Sequence, residues 1–299
     1  RRPGYAPAMA RVGLVGCGNI GGRIAGVLVR SGWDVVAFDA DAARASSTGA
    51  ATAVAVGELA VLPIVLLSLP SSREVEAVVE GPGGLLEHAT KGLTIVDLTT
   101  ADPASTRRLH ARCAEQGVAF VDAGVTGGAA AAERGELVVL VGGDDDAIAT
   151  ARPALETIAS QILVMGPSGA GHATKAVNNV LNAVTLAATG EAMLAGVAAG
   201  LDPVRLLEAI NAGSGASWAS ANRFPKIVAG DAMAGGLSVA LMAKDVEVFL
   251  RLAAEAGTPT EIAEATVAAY RAAIAAGYGD EVANAVVTAQ GAGVPLHER

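Results

Sequence analysis

Val12-Gly13-Leu14-Val15-Gly16-Cys17-Gly18-Asn19-Ile20-Gly21 is the stretch whose reading decides the fold. Residues 12–15 form a short apolar run that reads as a strand, and residues 20–30 read as a helix. Between them lies a G-x-G-x-x-G pattern made of Gly16, Gly18 and Gly21. Gly16 permits the tight turn, Gly18 lets a pyrophosphate approach the backbone, and Gly21 lets the helix pack close to the strand. The backbone from Gly16 to Ile20, through Cys17 and Asn19, then offers N–H groups and the positive end of a helix to phosphates. In a chain with 37 glycines the pattern alone is weak. The strand before it, the helix after it and Asp39 at the end of the next strand make it specific for a dinucleotide. The Asp39 carboxylate suits ribose hydroxyls and repels a 2′-phosphate, and Ala40 rather than an arginine follows it, so NAD is expected over NADP. Arg44, one turn further, reads as a solvated helix face.

Outward from this stretch, residues 35–38, 64–69, 94–96, 119–121, 137–141 and 162–164 also read as strands, with helical segments such as 103–116 between them. That alternation implies βαβ units and a largely parallel, doubly wound sheet. After residue 164 the strand signals stop. An Ala-rich stretch without proline, 172–199, suits one long helix, and helical patterns recur at 203–212, 239–256, 262–276 and 281–290. The expected organisation is an α/β dinucleotide-binding domain over 9–166 and an all-α domain for substrate and assembly over 167–299, joined by the long helix.

At 299 residues the chain is long enough for two cores, and 52% hydrophobic against 17% charged residues excludes a disordered chain. A net charge of −9 speaks against nucleic acid as a partner, while a local positive pocket can still take an anionic substrate. Two cysteines, Cys17 and Cys113, fit a reducing, cytoplasmic setting better than a secreted disulfide scaffold. The apolar stretch 59–72 is too short to span a bilayer and residues 1–8 lack a signal core, so no membrane role is expected. Four scattered histidines suggest no metal site.

Three further segments carry candidate chemistry. Asp122-Ala123-Gly124-Val125-Thr126-Gly127-Gly128 follows a predicted strand and reads as a loop whose N–H groups face an anion. Gly166-Pro167-Ser168-Gly169-Ala170-Gly171 opens the long helix, on which Lys175, Asn178 and Asn179 are spaced to share one face among apolar neighbours. Desolvation there lowers a lysine pKa toward the range useful for proton transfer near neutrality. Leu241-Met242-Ala243-Lys244-Asp245 reads, alone, as an exposed Lys–Asp pair.

In order along the chain, these segments resemble the β-hydroxyacid dehydrogenase family, which includes 3-hydroxyisobutyrate dehydrogenases and tartronate semialdehyde reductases. Leu67-Ser68-Leu69-Pro70 with Val75 is similar to its loop over the cofactor, and Asp97-Leu98-Thr99-Thr100 with Pro103 to its D-x-S-T-x-x-P stretch. Residues 122–128 resemble its D-A-P-V-S-G-G loop. Residues 166–179 match G-x-x-G-x-G-x-x-x-K-x-x-N-N at every fixed position, and Ser217-Trp218 and residues 241–245 match its S-W and L-M-x-K-D motifs.

The resemblance implies a Rossmann-type domain followed by a helical one, and hydride transfer between NAD(P) and a small 3-hydroxy acid. It implies Lys175 as acid/base, Asn179 holding the substrate, and Thr126, Gly127 and Gly128 binding its carboxylate. It places Trp218 in the pocket wall, Leu69, Pro70, Val75 and Lys244 at the cofactor, and Thr100 on its nicotinamide side. It further implies a homodimer or homotetramer. Gly124 and Thr126 stand where Pro and Ser are usual, and Ala232 and Leu237 where Phe is frequent, which leaves the substrate open. An imine reductase on the same scaffold and a non-catalytic NAD-binding module are the alternatives. Lys175 with Asn179 speaks against the first, and the lack of a basic tail against the second.

Overall fold

A computed structural model describes residues 10–231, 236–291 and 296. The chain divides into two compact units, residues 1–175 and 176–299.

The first unit is built on eight strands: β1 (Arg11–Val15), β2 (Asp34–Phe38), β3 (Ala51–Thr52), β4 (Ile64–Leu67), β5 (Thr94–Asp97), β6 (Ala119–Thr126), β7 (Leu137–Gly142) and β8 (Ala159–Gly166). Their order in the sheet is β3-β2-β1-β4-β5-β6-β7-β8. All neighbours are parallel except β6 and β7. The chain leaves β1 toward β2 on one side and returns to β4 on the other, so the order reverses at β1, where this class of sheet binds its ligands.

The expected Rossmann-type sheet is therefore observed, and its strands show why they read as near-continuous apolar runs. Successive residues feed opposite cores. Leu14, Leu66, Val96 and Val121 join one buried cluster with Ile24 and Leu28 of helix Gly21–Arg30. Val15, Val65, Ile95 and Phe120 join the other with Val75, Val79 and Leu109. A parallel sheet covered on both faces needs apolar residues at every position.

Two strands depart from expectation. The two-residue β3 carries too little pattern to be read from sequence. More consequentially, residues 122–126 are not a loop: β6 runs on to Thr126 and pairs antiparallel with β7, Asp122 opposite Gly142 and Thr126 opposite Val138. The hairpin partner, not local propensity, makes Ala123-Gly124 extended.

The long helix spans Ala170–Ala198. It is the one helix among the described residues long and apolar enough to cross a membrane by length and composition. In the second unit one side of it is core: Ala183, Leu186 and Met193 are fully buried with Phe224, Met242, Val246 and Tyr270. The other helices of that unit include Pro203–Ala212, Trp218–Asn222, Phe224–Val228, Val239–Ala256, Glu261–Ala273 and Ala285–Gln290. The helix expected at 281–290 starts later, at Ala285, because the preceding backbone is engaged elsewhere: Val239 N donates to the Glu281 carbonyl and Ala283 N donates to the Leu237 carbonyl. Leu237 is partly buried against the helical core, and Ala232 lies outside the described residues.

Candidate functional site

The glycine loop behaves as its spacing predicts. Gly16 sits at φ 91°, and a Cβ there would lie 2.2 Å from the Ser68 carbonyl oxygen. A Cβ on Gly21 would lie 1.9 Å from the Gly16 oxygen. At Gly18, by contrast, a Cβ would meet nothing within 4 Å. Packing does not demand glycine at position 18, so its bareness fits close approach by a ligand, and the cradle suits a dinucleotide pyrophosphate. Gly18→Ala is accordingly expected to leave the melting temperature within about 2 °C and to weaken NAD binding by about tenfold or more, checked by thermal unfolding and by cofactor titration. Equal affinity in the variant would contradict a pyrophosphate seat at Gly18.

Asp39 directly follows β2 and serves the loop itself. Its Oδ2 accepts from Cys17 N at 2.7 Å and its Oδ1 from Asp41 N at 2.8 Å. Each oxygen keeps a lone pair for a ribose hydroxyl. Arg44 pairs with Asp41 at 3.5 Å on an exposed helix face. The Cys17 thiol is pushed up to about 11, first by burial and then by Asp39, and burial pushes Cys113 up to about 12. Both are therefore neutral, packed thiols. Two loops beside this one are pinned together: Leu69 N donates to Thr99 Oγ1 at 3.1 Å, and Thr99 N to Asp97 Oδ1 at 3.0 Å. Thr100 is half-buried, Pro70 exposed and Val75 buried.

Lys175 is 8% exposed, in the second turn of the long helix. The helix start is seated on Asp122, which is fully buried. Asp122 Oδ1 accepts from Gly169 N at 2.7 Å and Oδ2 from His172 N at 3.0 Å. A carboxylate here satisfies two of the N–H groups that a helix start leaves unpaired and also complements the helix dipole. The departure at Gly124 has a local cause: a Cβ there would lie 2.8 Å from Lys175 Cβ and 3.1 Å from its Cγ. The bare backbone of β6 lets the lysine stem lie against it. At the end of β6, Thr126 is half-buried, and Gly127 and Gly128 are exposed at φ 117° and 72°.

In the second unit, Asn179 is 4% exposed and its amide donates to Asp245 Oδ2. Asp245, 1% exposed, corrects the reading of residues 244–245 as a wholly exposed pair. Lys244 Nζ sits 2.8 Å from Asp245 Oδ1, an ion pair without hydrogen-bond alignment. The expectation that Lys175, Asn178 and Asn179 share one environment also needs correction: Asn178 is exposed, as are Val177 and Leu181. At 3.6 residues per turn, position 178 falls on the far edge of the buried stripe. Trp218 is 61% exposed, with the Arg223 guanidinium 5.5 Å from its ring centre.

Sequence reasoning gave no role to Asp122, Asp245 or His172. The first two are fixed letters of motifs quoted above, and their acidity in otherwise apolar segments was the available signal. His172 occupies a variable position of its motif and gave none.

Comparisons with known proteins agree with this architecture. Residues 11–166 match the NAD binding domain of 6-phosphogluconate dehydrogenase, and residues 169–290 match the NAD-binding domain of NADP-dependent 3-hydroxyisobutyrate dehydrogenase. The chain is 34% identical to a 2-(hydroxymethyl)glutarate dehydrogenase of Eubacterium barkeri over 93% of either chain. It is also 34% identical to an NAD-dependent L-serine dehydrogenase of Pseudomonas aeruginosa, over 91% of this chain and 95% of that one. A solved 3-hydroxyisobutyrate dehydrogenase of Mycobacterium tuberculosis, with L-serine, superposes with a TM-score of 0.83 at 29% identity, covering 94% of this chain and 99% of that one. An imine reductase of Myxococcus stipitatus is more distant, with a TM-score of 0.63 at 18% identity, and shares the fold alone. With relatives this similar along almost its whole length, the chain belongs to the β-hydroxyacid dehydrogenase family of oxidoreductases.

Proposed function

We propose that this protein oxidises the hydroxyl-bearing carbon of a small 3-hydroxy acid, or reduces the matching semialdehyde, with Lys175 as general acid/base. A bound nicotinamide dinucleotide supplies the hydride acceptor or donor. The observation that carries the reading is a lysine 8% exposed, seated by a buried carboxylate at its helix start and backed by a glycine that packs on its stem. As a free amine, Lys175 Nζ takes the substrate hydroxyl proton; as an ammonium, it returns that proton to the forming alkoxide and stabilises the negative charge. Asn179, held by Asp245, offers an amide to the substrate. Thr126, Gly127 and Gly128 bind its carboxylate, Trp218 forms wall, and Lys244 serves the cofactor.

The glycine loop from Gly16 to Ile20, with Asp39, Leu69, Pro70, Val75 and Thr100, holds the dinucleotide. NAD is favoured over NADP, because Asp39 stands where a 2′-phosphate would lie and the nearby Arg44 is paired with Asp41. The L-serine dehydrogenase relative is NAD-dependent by name. The division of labour is residues 9–166 for the cofactor and 167–299 for substrate and assembly, in a cytoplasmic homodimer or homotetramer.

The test is the rate of change at the reduced-nicotinamide absorbance band with 3-hydroxyisobutyrate, L-serine and 2-(hydroxymethyl)glutarate, each with NAD and with NADP. Turnover of at least one acid, faster with NAD, is expected. No turnover of any of them by protein that binds NAD would contradict the substrate class.

A further inference from the structure

His172 is completely buried, and neither the cofactor cradle nor the proton transfer uses it. Its ring nonetheless joins three pieces of the first unit. Nε2 lies 3.1 Å from the Asp97 carbonyl oxygen, which can only accept, so Nε2 carries a proton. Nδ1 then accepts from the Thr106 hydroxyl at 2.7 Å. The main-chain N–H of His172 is spent on Asp122. One residue thus ties the end of β5, the helix Pro103–Ala114 and the middle of β6 to the first turn of the long helix, three residues before Lys175.

The connection continues toward the cofactor loops. Asp97, whose carbonyl receives His172, uses Oδ1 to hold Thr99 N at 3.0 Å. The Thr99 hydroxyl in turn holds Leu69 N at 3.1 Å. His172, Asp97 and Thr99 are each at most 2% exposed. The buried chain His172–Asp97–Thr99–Leu69 therefore spans from the helix bearing the lysine to the loop of Thr100, assigned to the nicotinamide side, and to the cofactor loop at Leu69. Asp97 Oδ2, 4.0 Å from Nε2, has no hydrogen-bond partner. Burial pushes the Asp97 carboxyl above its ordinary range.

We propose that His172 is a positioning residue that sets the distance between Lys175 and the nicotinamide-side loops, acting on the chemical step and on seating of the nicotinamide half while leaving the adenosine half untouched. This inference rests on the assignment of Lys175 and Thr100 given above. The geometry explains the direction of the effect. Without the ring, Thr99 and Leu69 lose their tether to the helix, while Gly16, Gly18 and Asp39 keep theirs through β1 and β2.

The experiment compares wild type with His172→Ala, His172→Gln and Thr106→Val, measuring kcat with the best acid of the panel and the binding of NADH and of ADP-ribose. The glutamine amide reaches the Nε2 position and keeps the donor to Asp97; Thr106→Val removes the Nδ1 partner together with the local contact of that hydroxyl to the Asp102 carbonyl. For His172→Ala, kcat is expected to fall by about a hundredfold and NADH binding by about tenfold, with ADP-ribose binding within about twofold. His172→Gln is expected to recover kcat to within about fivefold of wild type, and Thr106→Val to lose about threefold to tenfold. Equal weakening of NADH and ADP-ribose, or an unchanged kcat and NADH affinity, would overturn the proposal. If His172→Ala does not fold, His172→Gln and Thr106→Val decide by the same comparison, a drop in ADP-ribose affinity matching that in NADH again overturning it. The binding arm needs no turnover, and failure of the underlying reading shows separately, as wild-type turnover that survives Lys175→Ala.

Discussion

Lys175→Ala is expected to lower kcat by about a thousandfold or more while cofactor affinity stays within about twofold. The variant removes the group that takes the hydroxyl proton, and the cofactor cradle stands on other elements, at β1 and β2. Replacement by arginine separates two roles of the side chain. Arg keeps a positive charge but cannot give up its proton near neutral pH. If Lys175 works by proton transfer, Lys175→Arg is as inactive as Lys175→Ala; if it only supplies charge, the arginine variant retains substantial turnover. Gly124→Ala approaches the same lysine from behind. Its added methyl would meet Lys175 Cβ at 2.8 Å, so the stem must move. Displacement of a reacting group by part of an ångström costs on the order of a hundredfold. Steady-state kinetics on the three variants checks all of this.

The second large effect is on stability. Asp122→Ala is expected to destabilise the protein by about 3 kcal/mol, read as a lower midpoint of urea unfolding. The buried carboxylate accepts two backbone N–H groups at 2.7 and 3.0 Å, and alanine leaves both donors unpaired. Hydrogen bonds to charged groups contribute more than neutral ones, and an orphaned buried donor costs the full desolvation penalty. Asp122→Asn keeps one accepting oxygen and is expected to lose about half as much. A midpoint unchanged in Asp122→Ala would mean that the helix start is held by something other than this carboxylate.

Much of the architecture was legible because its signals are local. The apolar run 12–15, three glycines at fixed offsets and Asp39 each answer to a steric or electrostatic demand within one βαβ unit, and the steric demand is visible at Gly16 and Gly21. The strands of a sheet buried on both faces announce themselves as unbroken apolar runs. What escaped was set by distant partners. Residues 122–126 carry glycine, alanine and an acid, a composition that reads as a loop, and become strand because β7 pairs with them. Asp245 beside Lys244 has the signature of a solvated pair, and its burial follows from the packing of the helical unit, where it accepts from Asn179. Asn178 looks equivalent to Asn179 in the sequence, yet one step of 100° around the helix exposes it. His172 is an ordinary residue at a variable position until Asp97 and Thr106 are seen on either side of its ring.

The central claim is hydride transfer from the hydroxyl-bearing carbon of a 3-hydroxy acid to a nicotinamide, and isotope transfer tests it most directly. The acid that turns over in the panel is prepared with deuterium on that carbon, and the reduced cofactor is isolated and weighed by mass spectrometry. One deuterium in the reduced nicotinamide is the result this account predicts. Reduced cofactor without deuterium, or oxidation of the labelled acid with no reduced cofactor formed, would contradict it.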